Sequence, residues 1–383
     1  MPLTQIKGDE WNKPTTATTV SNMFREVYQR ITKTEAAQNS RFAIINAKYP
    51  PKGFKAMVGN LGDDDAPALQ AMIDALDVGG TIFLPAGTYR LLSPIVLPYQ
   101  TTNTVVGLNI IGCGPKSTIL YADNTTGGII AKGTSTATCN FMFRDLSICC
   151  LHPTTNTDAI GVDMEYSNDY NLFDNVRLEA FATAIRMANT RNTKILNCVI
   201  YGSTVAGVKI MSTANSAMIT NSSIRSNYDN INIEGGTGHA ILGCDISMAT
   251  HCNLYATNAI GLTINAKADA NNVTLASVYL DTCQNVSIIN LTMAYLALNA
   301  VAVHLYACRQ VSISQMRTYE SSTGGYLSGT TGLIIDTCFC VTVEASRFIR
   351  METGIYINQL YGGRISAVEF AGCYQNFNVR NTA

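Results

Sequence analysis

Short runs in which apolar and variable residues alternate recur along most of the chain. Nine of them align: VDME from residue 162, IRMA from 185, VKIM from 208, INIE from 231, LYAT from 254, VYLD from 278, VHLY from 303, LIID from 333 and IYIN from 355. Their starts lie 22 to 25 residues apart, except for one interval of 30 residues. Alternation with a period of two is the pattern of a β-strand, and so regular a spacing indicates a repeat architecture.

The repeat predicts a solenoid built from strands. A unit of about 23 residues that holds two or three short strands and no helix cannot bury its apolar face alone, so it must stack on its neighbours. A leucine-rich repeat would need the pattern LxxLxLxxN, and a propeller would need blades of about 40 residues; the chain has neither. We therefore predict an all-β fold, a right-handed parallel β-helix with coils of about 23 residues.

The first and third residues of each aligned run are predicted to point into the core. All of them are apolar, from Val162 and Met164 in the first run to Ile355 and Ile357 in the last. Further along several units an asparagine precedes two apolar residues spaced two apart, which indicates a side-chain ladder at one turn of the coil. These asparagines are Asn175, Asn197, Asn221 and Asn290.

Two helices are predicted before the repeat begins. Thr18 or Thr19 caps the first, which carries one apolar stripe. The stripe consists of Val20, Met23, Phe24, Val27 and Ile31. Residues 49–53, YPPKG, resemble a stiff linker, and the second helix runs from Asp64 to Leu76 with Pro67 in its first turn. We therefore divide the chain into a helical segment, residues 1–50, and a β-helix domain, residues 51–383, with coils over about 100–380.

Composition and charge narrow the functional classes. The chain is 47% apolar and 14% charged, with a net charge of -1, so we expect a soluble globular protein with a large core. Near-neutral charge without a basic face argues against a nucleic-acid partner. No run of 18 apolar residues and no secretory signal pattern are present, so we expect neither membrane insertion nor export, and synthesis in a cytoplasm.

The twelve cysteines do not form a metal-ligand pattern. Their close pairs are CC and CxC, with no CxxC and no histidine at matching spacing. Cys283, Cys308 and Cys338 instead recur at one place in the repeat, which favours reduced, buried packing residues. We predict no metal and no cofactor.

The segment GDDDAPALQAMIDAL, followed by GGTIFLPAGTYRL, resembles the module with which the pectate-lyase-like superfamily begins its β-helix. This module spans residues 62–92 and pairs a capping helix with a first strand. Within the superfamily, the chain is similar to viral tailspikes and polysaccharide depolymerases. The resemblance implies a homotrimer in a phage virion, attached to other tail proteins through residues 1–50, with host cell-surface polysaccharide as its partner.

Residues that alternate with the core positions are predicted to face outward in two columns. The first column is Asp163, Arg186, Lys209, Asn232, Tyr255, Tyr279, His304, Ile334 and Tyr356. The second is Glu165, Ala188, Met211, Glu234, Thr257, Asp281, Tyr306, Asp336 and Asn358. Aromatic rings stack on sugars, amides bond hydroxyls and cations hold acidic sugars, so the columns predict a carbohydrate-binding surface.

Two pairs of carboxylates are candidates for acid and base catalysis. Glu234 and Asp281 share a column two coils apart, roughly 9 to 10 Å between backbones, near the spacing of an inverting glycosidase pair. Asp163 and Glu165 lie two residues apart on one strand. The predicted substrate-binding residues are Arg186, Lys209, Asn232, Tyr255, Tyr279, His304, Tyr306 and Asp336, and, from the long coil, Tyr319, Glu320 and Tyr326.

Two functional hypotheses follow from these columns. In the first, the protein is a depolymerase of endo-glycosidase type, with hydrolysis favoured over elimination. In the second, it is a non-catalytic receptor-binding or structural tail protein, whose outward polar residues are a solvated surface. A further outward set on a different face, Glu179, Tyr201 and Arg225, ranks below the two columns.

Overall fold

The chain folds into a right-handed parallel β-helix. The computed structural model describes residues 44–76, 79–98, 107–133, 140–167, 171–270, 273–319 and 327–381. Every strand pairing in these ranges is parallel. The predicted helix over Val20 to Ile31 lies outside the described residues.

Three faces surround the core. The first, named here the Tyr255 face, contains the strands Ile95–Val96, Gly127–Lys132, Ile160–Glu165, Thr183–Ala188, Ala206–Ile210, Asp229–Ile233, Cys252–Thr257, Val278–Asp281, Val301–Tyr306, Leu327–Asp336, the first part of Met351–Ser366, and Gln375–Asn381.

The second face and the third, named here the Tyr201 face, are joined by strands long enough to cross both. The crossing strands are Asn140–Cys150, Leu172–Glu179, Ala240–Ser247 and Thr263–Ala270. The second face also contains Ile44–Asn46, Gly80–Phe83, Gly107–Ile111, Lys194–Leu196, Met218–Thr220, Gln284–Ile289, Arg309–Ser314, Cys338–Glu344 and the end of Met351–Ser366. The Tyr201 face also contains Gly87–Leu91, Thr118–Ala122, Val199–Tyr201, Ser223–Arg225, Thr292–Leu296, Arg317–Tyr319, Arg347–Ile349 and Glu369–Ala371.

The strand register matches the sequence repeat coil by coil. Val162 pairs with Ile185, Ile185 with Val208, and the series continues without a slip to Leu333 and Ile355. These core residues are fully buried. Burying one aliphatic side chain of this size contributes about 1.5–3 kcal/mol, so the stacked columns are a main source of stability.

The N-terminal end of the stack is closed by the helix Ala66–Asp74, which is shorter at both ends than predicted. Leu69, Met72 and Ile73 on this helix are fully buried. The side-chain amide of Gln70 accepts from the backbone N–H of Val96 at 2.8 Å and donates to its carbonyl at 2.9 Å. These two hydrogen bonds pair the backbone N–H and carbonyl of Val96, which lies in the first strand of the Tyr255 face and would otherwise have an unpaired edge.

The β-helix begins before the predicted boundary at residue 50. The strand Ile44–Asn46 pairs with residues Thr81 to Phe83, so it belongs to the same stack. The described part of the chain contains no helix with the length and apolarity that a membrane crossing needs.

The four asparagines of the predicted ladder share one turn conformation. Asn175, Asn197, Asn221 and Asn290 all adopt positive φ angles, between 49° and 55°. Asparagine tolerates this left-handed conformation better than most residues, because its short amide bonds locally. Asn197 donates to the Asp174 carboxylate at 3.0 Å on the preceding coil, so the ladder also links neighbouring coils.

Three cysteines that recur in the repeat lie inside the stack. Cys283, Cys308 and Cys338 are buried with free thiols, which confirms their prediction as packing residues.

A series of buried amide and hydroxyl side chains links neighbouring coils. Asn230 donates to Asn253 at 2.7 Å, and Asn253 donates to the Ser277 hydroxyl at 2.9 Å. Hydrogen bonds of this kind remove the cost of burying the amides.

Candidate functional site

The outward residues of the Tyr255 face form the two columns that the repeat predicts. Asp163 lies beside Arg186, Arg186 beside Lys209, Lys209 beside Asn232, and Asn232 beside Tyr255. Parallel strands are about 4.8 Å apart, so each coil adds one side chain at this spacing. The columns place cations toward the N-terminal end and rings toward the middle.

Asp163 is held between two cations. Nε and Nη2 of Arg186 donate to its two oxygens, each at 2.7 Å, and Nζ of Lys132 lies 2.8 Å from Oδ2. The Asp163 side chain is only 10% exposed. Both of its oxygens are occupied, which favours a role in positioning Arg186 over a role in proton transfer. Glu165 lies two residues further on, half-buried at the end of the same strand.

Glu234 is paired with Lys209 across neighbouring coils. Nζ of Lys209 lies 2.8 Å from Oε1 of Glu234, and both side chains remain partly exposed. Asp281 lies two coils beyond Glu234 in the same column, with Thr257 between them in register. The hydroxyl of Thr282 donates to Asp281. The structure therefore brings Glu234 and Asp281 to the same side of the ring column.

A continuous series of rings runs across the middle of the face. The centroids of Tyr228 and His251 lie 4.9 Å apart, those of His251 and Tyr255 5.9 Å, and those of Tyr255 and Tyr279 5.5 Å. His304 follows, edge-on to Tyr279 at 5.0 Å. Five rings thus lie in contact over four coils.

Burial shifts the pKa values of two rings in this series, Tyr279 and His304. It raises the pKa of Tyr279 to about 12, with a smaller contribution from the Asp281 carboxylate. It lowers the pKa of His304, although Asp336 and Asp281 oppose the shift. His304 is therefore neutral at pH 7, and its Nε2 is buried without a hydrogen-bond partner among the described residues.

At the start of these strands, Asp229 and His251 form a hydrogen-bonded pair. Nδ1 of His251 lies 2.8 Å from Oδ1 of Asp229, while Asn232 donates to Oδ2 at 2.9 Å. Asp229 is 3% exposed, so its carboxylate is fixed in place. A carboxylate bonded to Nδ1 orients an imidazole and leaves Nε2 to exchange a proton with a ligand.

Cys252 adds a third metal-ligating group to this pair. The ligand atoms of Asp229, His251 and Cys252 all lie within 4.8 Å of one another. However, burial raises the pKa of Cys252 to about 12, with Asp229 adding to the shift, so the thiol stays protonated at neutral pH. Because Nδ1 of His251 is already bonded to the Asp229 carboxylate, we interpret the cluster as an oriented acid–base pair.

The C-terminal part of the predicted site is more exposed. Tyr306 is 42% exposed, and the amide of Asn358 donates to Asp336 at 2.8 Å. Tyr319 does not lie on the Tyr255 face: it is part of the strand Arg317–Tyr319 and pairs with Ala294 on the Tyr201 face. Glu320 and Tyr326 lie outside the described residues.

Sequence reasoning missed Tyr228, Asp229 and His251. They precede the aligned runs by two or three residues, so the alternating pattern did not include them. Asp229 pairs with Cys252 in register, and an alignment extended two residues toward the N-terminus brings these positions together. His251 lies one residue earlier still, outside the alternation.

Curated relatives match a quarter of the chain. Two mannuronan C5-epimerases of Azotobacter vinelandii are similar to it: AlgE3, 36% identical over 100 residues, and AlgE1, 35% identical over 114 residues. The matches cover 24% and 27% of this chain, and only 5% and 8% of the two epimerases' own lengths.

Solved structures match nearly the whole described stack and support the fold. The A-module of the epimerase AlgE4 of Azotobacter vinelandii covers 88% of this chain and 99% of its own, with 16% identity and a TM-score of 0.63. The surface adhesin PfbA of Streptococcus pneumoniae covers 88% and 100%, with 14% identity and a TM-score of 0.64. The Dettilon tailspike protein gp208 covers 86% and 68%, with 12% identity and a TM-score of 0.59.

A family model matches the chain from the capping helix through most of the ring series. The match covers residues 57–289, well over half of the sequence. The chain therefore belongs to the rhamnogalacturonase A/epimerase, pectate lyase-like family.

Proposed function

We propose that the Tyr255 face binds a polysaccharide and that the protein acts on it as a carbohydrate-active enzyme. The observation that carries this proposal is the series of five rings from Tyr228 to His304, in contact at centroid distances of 4.9 to 5.9 Å. Such a run presents an extended, partly apolar surface along which successive sugar rings can lie. The cations Arg186 and Lys209 precede it along the face and the carboxylates Glu234 and Asp281 lie beside it, groups that can recognise acidic groups and sugar hydroxyls.

The charged groups support acid–base chemistry beside the rings. His251, oriented by Asp229, and the column carboxylates Glu234 and Asp281 approach the ring series from different coils. In an endo-glycosidase reaction, one group protonates the leaving oxygen and a second activates water. We assign these two roles to Glu234 and Asp281, with the His251–Asp229 pair as the alternative acid–base group. The Tyr255 face is thus a depolymerase site in this proposal.

The biological setting belongs to the same proposal: a phage tailspike that recognises host surface polysaccharide. Its support is the capping module at residues 62–92 and the fold shared with the Dettilon tailspike protein gp208. A tailspike of this kind assembles as a homotrimer and docks on other tail proteins through residues 1–50. Light scattering of the full chain measures whether it forms a trimer. Electron microscopy of purified virions labelled with an antibody to the protein measures whether it is attached to a tail.

A non-catalytic receptor-binding or structural protein is the second candidate. The observation that favours it is the pairing of two candidate carboxylates with cations, Asp163 with Lys132 and Arg186, and Glu234 with Lys209. Ion pairs of this kind occur on purely structural surfaces. A receptor-binding protein would bind glycan without turnover. A structural protein would bind no glycan and would only dock on other virion proteins through residues 1–50.

Incubation with a panel of capsular and O-antigen polysaccharides tests the proposed function. New reducing ends show hydrolysis, new ultraviolet absorbance of unsaturated uronates shows elimination, and altered sugar configuration in NMR spectra shows epimerisation. Any of the three, from a purified protein, supports a carbohydrate-active enzyme, and the first supports the depolymerase. Binding without any of these products across the panel supports the second candidate instead.

A further inference from the structure

A cavity with three cations in its lining lies on the Tyr201 face, away from the five rings. It has a volume of about 580 Å³. Small-molecule sites occupy about 300–1,000 Å³, so the space suits one or two sugar units. Its lining consists of Gly114, Pro115, Lys116, Ser117, Asn175, Val176, Arg177, Asn197, Val199, Tyr201 and Arg225.

The charge of this lining is one-sided. Lys116, Arg177 and Arg225 contribute three cations, and no carboxylate is among the lining residues. Arg177 donates to Glu179 at 2.7 Å, whereas Lys116 and Arg225 form no ion pair within the described residues. Lys116 and Arg225 therefore keep positive charges outside any ion pair of the described residues, which favours an anionic ligand. Glu179, Asp145 and Asp174, which are bonded to other lining residues, reduce the net field.

Arg177 is positioned by several contacts, and these contacts use only part of its N–H donors. Its Nη2 donates to both Glu179 and the Tyr201 hydroxyl, and its guanidinium lies over the Tyr201 ring at 4.9 Å from the centroid. Its Nε has no partner among the described residues. That Nε is buried, but the Arg177 side chain is 33% exposed and its described contacts use Nη2, so the Nη1 donors can add an anionic oxygen.

The remaining lining groups suit sugar hydroxyls. Asn175 donates its amide nitrogen to Asp145 at 2.7 Å, and Asn197 donates to Asp174 at 3.0 Å. These bonds orient the amides and leave their oxygens as acceptors. The loop at residues 114–117 forms the opposite wall, fixed by the 2.7 Å bond from the Gly114 N–H to the Asp145 carbonyl.

From this arrangement we infer that the cavity binds an acidic saccharide unit, such as a uronate residue of a glycan. The cations recognise the acidic group, while the amide oxygens and the Tyr201 phenol recognise hydroxyls. A lone inorganic phosphate or sulfate would fill a small part of about 580 Å³ and leave the hydroxyl-binding groups unused. The inference does not depend on the Tyr255 face, because the two sites share no residue.

Titration of the full chain, ¹⁵N-labelled at arginine, with trigalacturonate tests the inference. We expect saturable shifts of the Arg177 and Arg225 side-chain N–H signals, and no such shifts with the neutral trisaccharide maltotriose. Replacing Lys116 and Arg225 with glutamine weakens this binding about tenfold or more, because charge-assisted hydrogen bonds are lost. Glu179→Gln, which frees Arg177 of its carboxylate partner, strengthens it.

Controls separate this cavity from other anion effects and from the proposed function. Lys52→Gln with Arg364→Gln removes two exposed cations elsewhere and leaves the titration unchanged. Tyr255→Ala also leaves it unchanged, so the cavity can be tested whether or not the Tyr255 face binds glycan. Equal shifts with maltotriose, no shift with trigalacturonate, or equally tight binding of inorganic phosphate would each overturn the inference.

Discussion

Nδ1 of His251 lies 2.8 Å from Oδ1 of Asp229, at the end of a ring series that continues through Tyr255. If the Tyr255 face is catalytic, His251→Gln lowers kcat by about 100-fold or more, because general acid–base groups contribute about 10²–10⁴-fold. KM rises by about tenfold at most, because His251 is also one of the five rings, while the Tyr255 and Tyr279 rings remain. Initial rates of reducing-end release over a range of polysaccharide concentrations give both constants.

A matched control exists at the other end of the molecule. His152 also faces an aspartate, with Nε2 3.5 Å from Asp123, but its side chain is 56% exposed and lies away from the rings. His152→Gln is expected to leave kcat and KM unchanged. Equal losses in the two variants, or a rise in KM alone for His251→Gln, would contradict a proton-transfer role.

The carboxylates of the second column predict a separation of turnover from binding. Glu234→Gln and Asp281→Asn each remove one candidate acid or base, so we expect turnover to fall by about 10²–10⁴-fold with glycan affinity retained. Glu234→Gln also breaks the partly exposed pair with Lys209, which costs at most about 1 kcal/mol of stability. Reducing-end assays and calorimetric titration measure the two effects.

The exposed Glu369, paired with Arg347 on the Tyr201 face, provides the control. Glu369→Gln should match the wild-type protein in both assays. Unchanged turnover in Glu234→Gln and Asp281→Asn would assign the chemistry to other residues. Absent turnover in the wild-type protein, with the same affinity in all three, would favour the receptor-binding candidate.

The ring series predicts that Tyr255 contributes directly to glycan affinity. Its ring lies parallel to Tyr279, at an interplanar angle of 5°, and next to His251. Tyr255→Ala opens a gap in the middle of the series and weakens binding by about tenfold, the size of one lost aromatic contact with its buried area. Tyr49→Ala, at a residue 80% exposed outside the series, should have no effect on the dissociation constant.

The regular part of the fold could be predicted from the sequence, because burial enforces it. A shift of one residue in any strand from Val162 to Ile357 would turn its apolar side chains outward, so the alternation determines the register. The same alternation placed Arg186, Lys209 and Tyr255 in one column. It could not predict the diagonal bond from Lys209 to Glu234, since a long side chain bends toward a partner that strand geometry alone does not identify.

The pair Asp229 and His251 escaped prediction for a different reason. The two residues stand at different offsets in successive coils, and they meet only because the turn before each strand brings them to the same edge. Tyr319 was predicted to bind substrate from the long coil, whereas the structure places it in a strand of the Tyr201 face. The length of the coil did not show how many of its residues belong to that strand. For Asp229 and His251 the path of a turn decides the outcome, and turns lack the periodicity from which strands can be predicted.

A buried histidine away from both sites predicts how stability depends on pH. His239 is 1% exposed; its Nδ1 accepts from the Ala217 N–H at 3.2 Å, and its Nε2 lies 3.1 Å from the Gly235 carbonyl. Burial lowers its pKa below the ordinary 6.5, so the unfolded chain binds a proton more readily than the folded one. The free energy of unfolding therefore falls as the pH falls below the ordinary pKa of histidine.

Urea unfolding of the wild-type protein and His239→Asn between about pH 7.5 and 5.5 measures this effect. The variant is less stable at the higher pH, and the difference in unfolding free energy between the two proteins narrows toward the lower pH. A gap that stays constant or widens would show that His239 is not the group responsible.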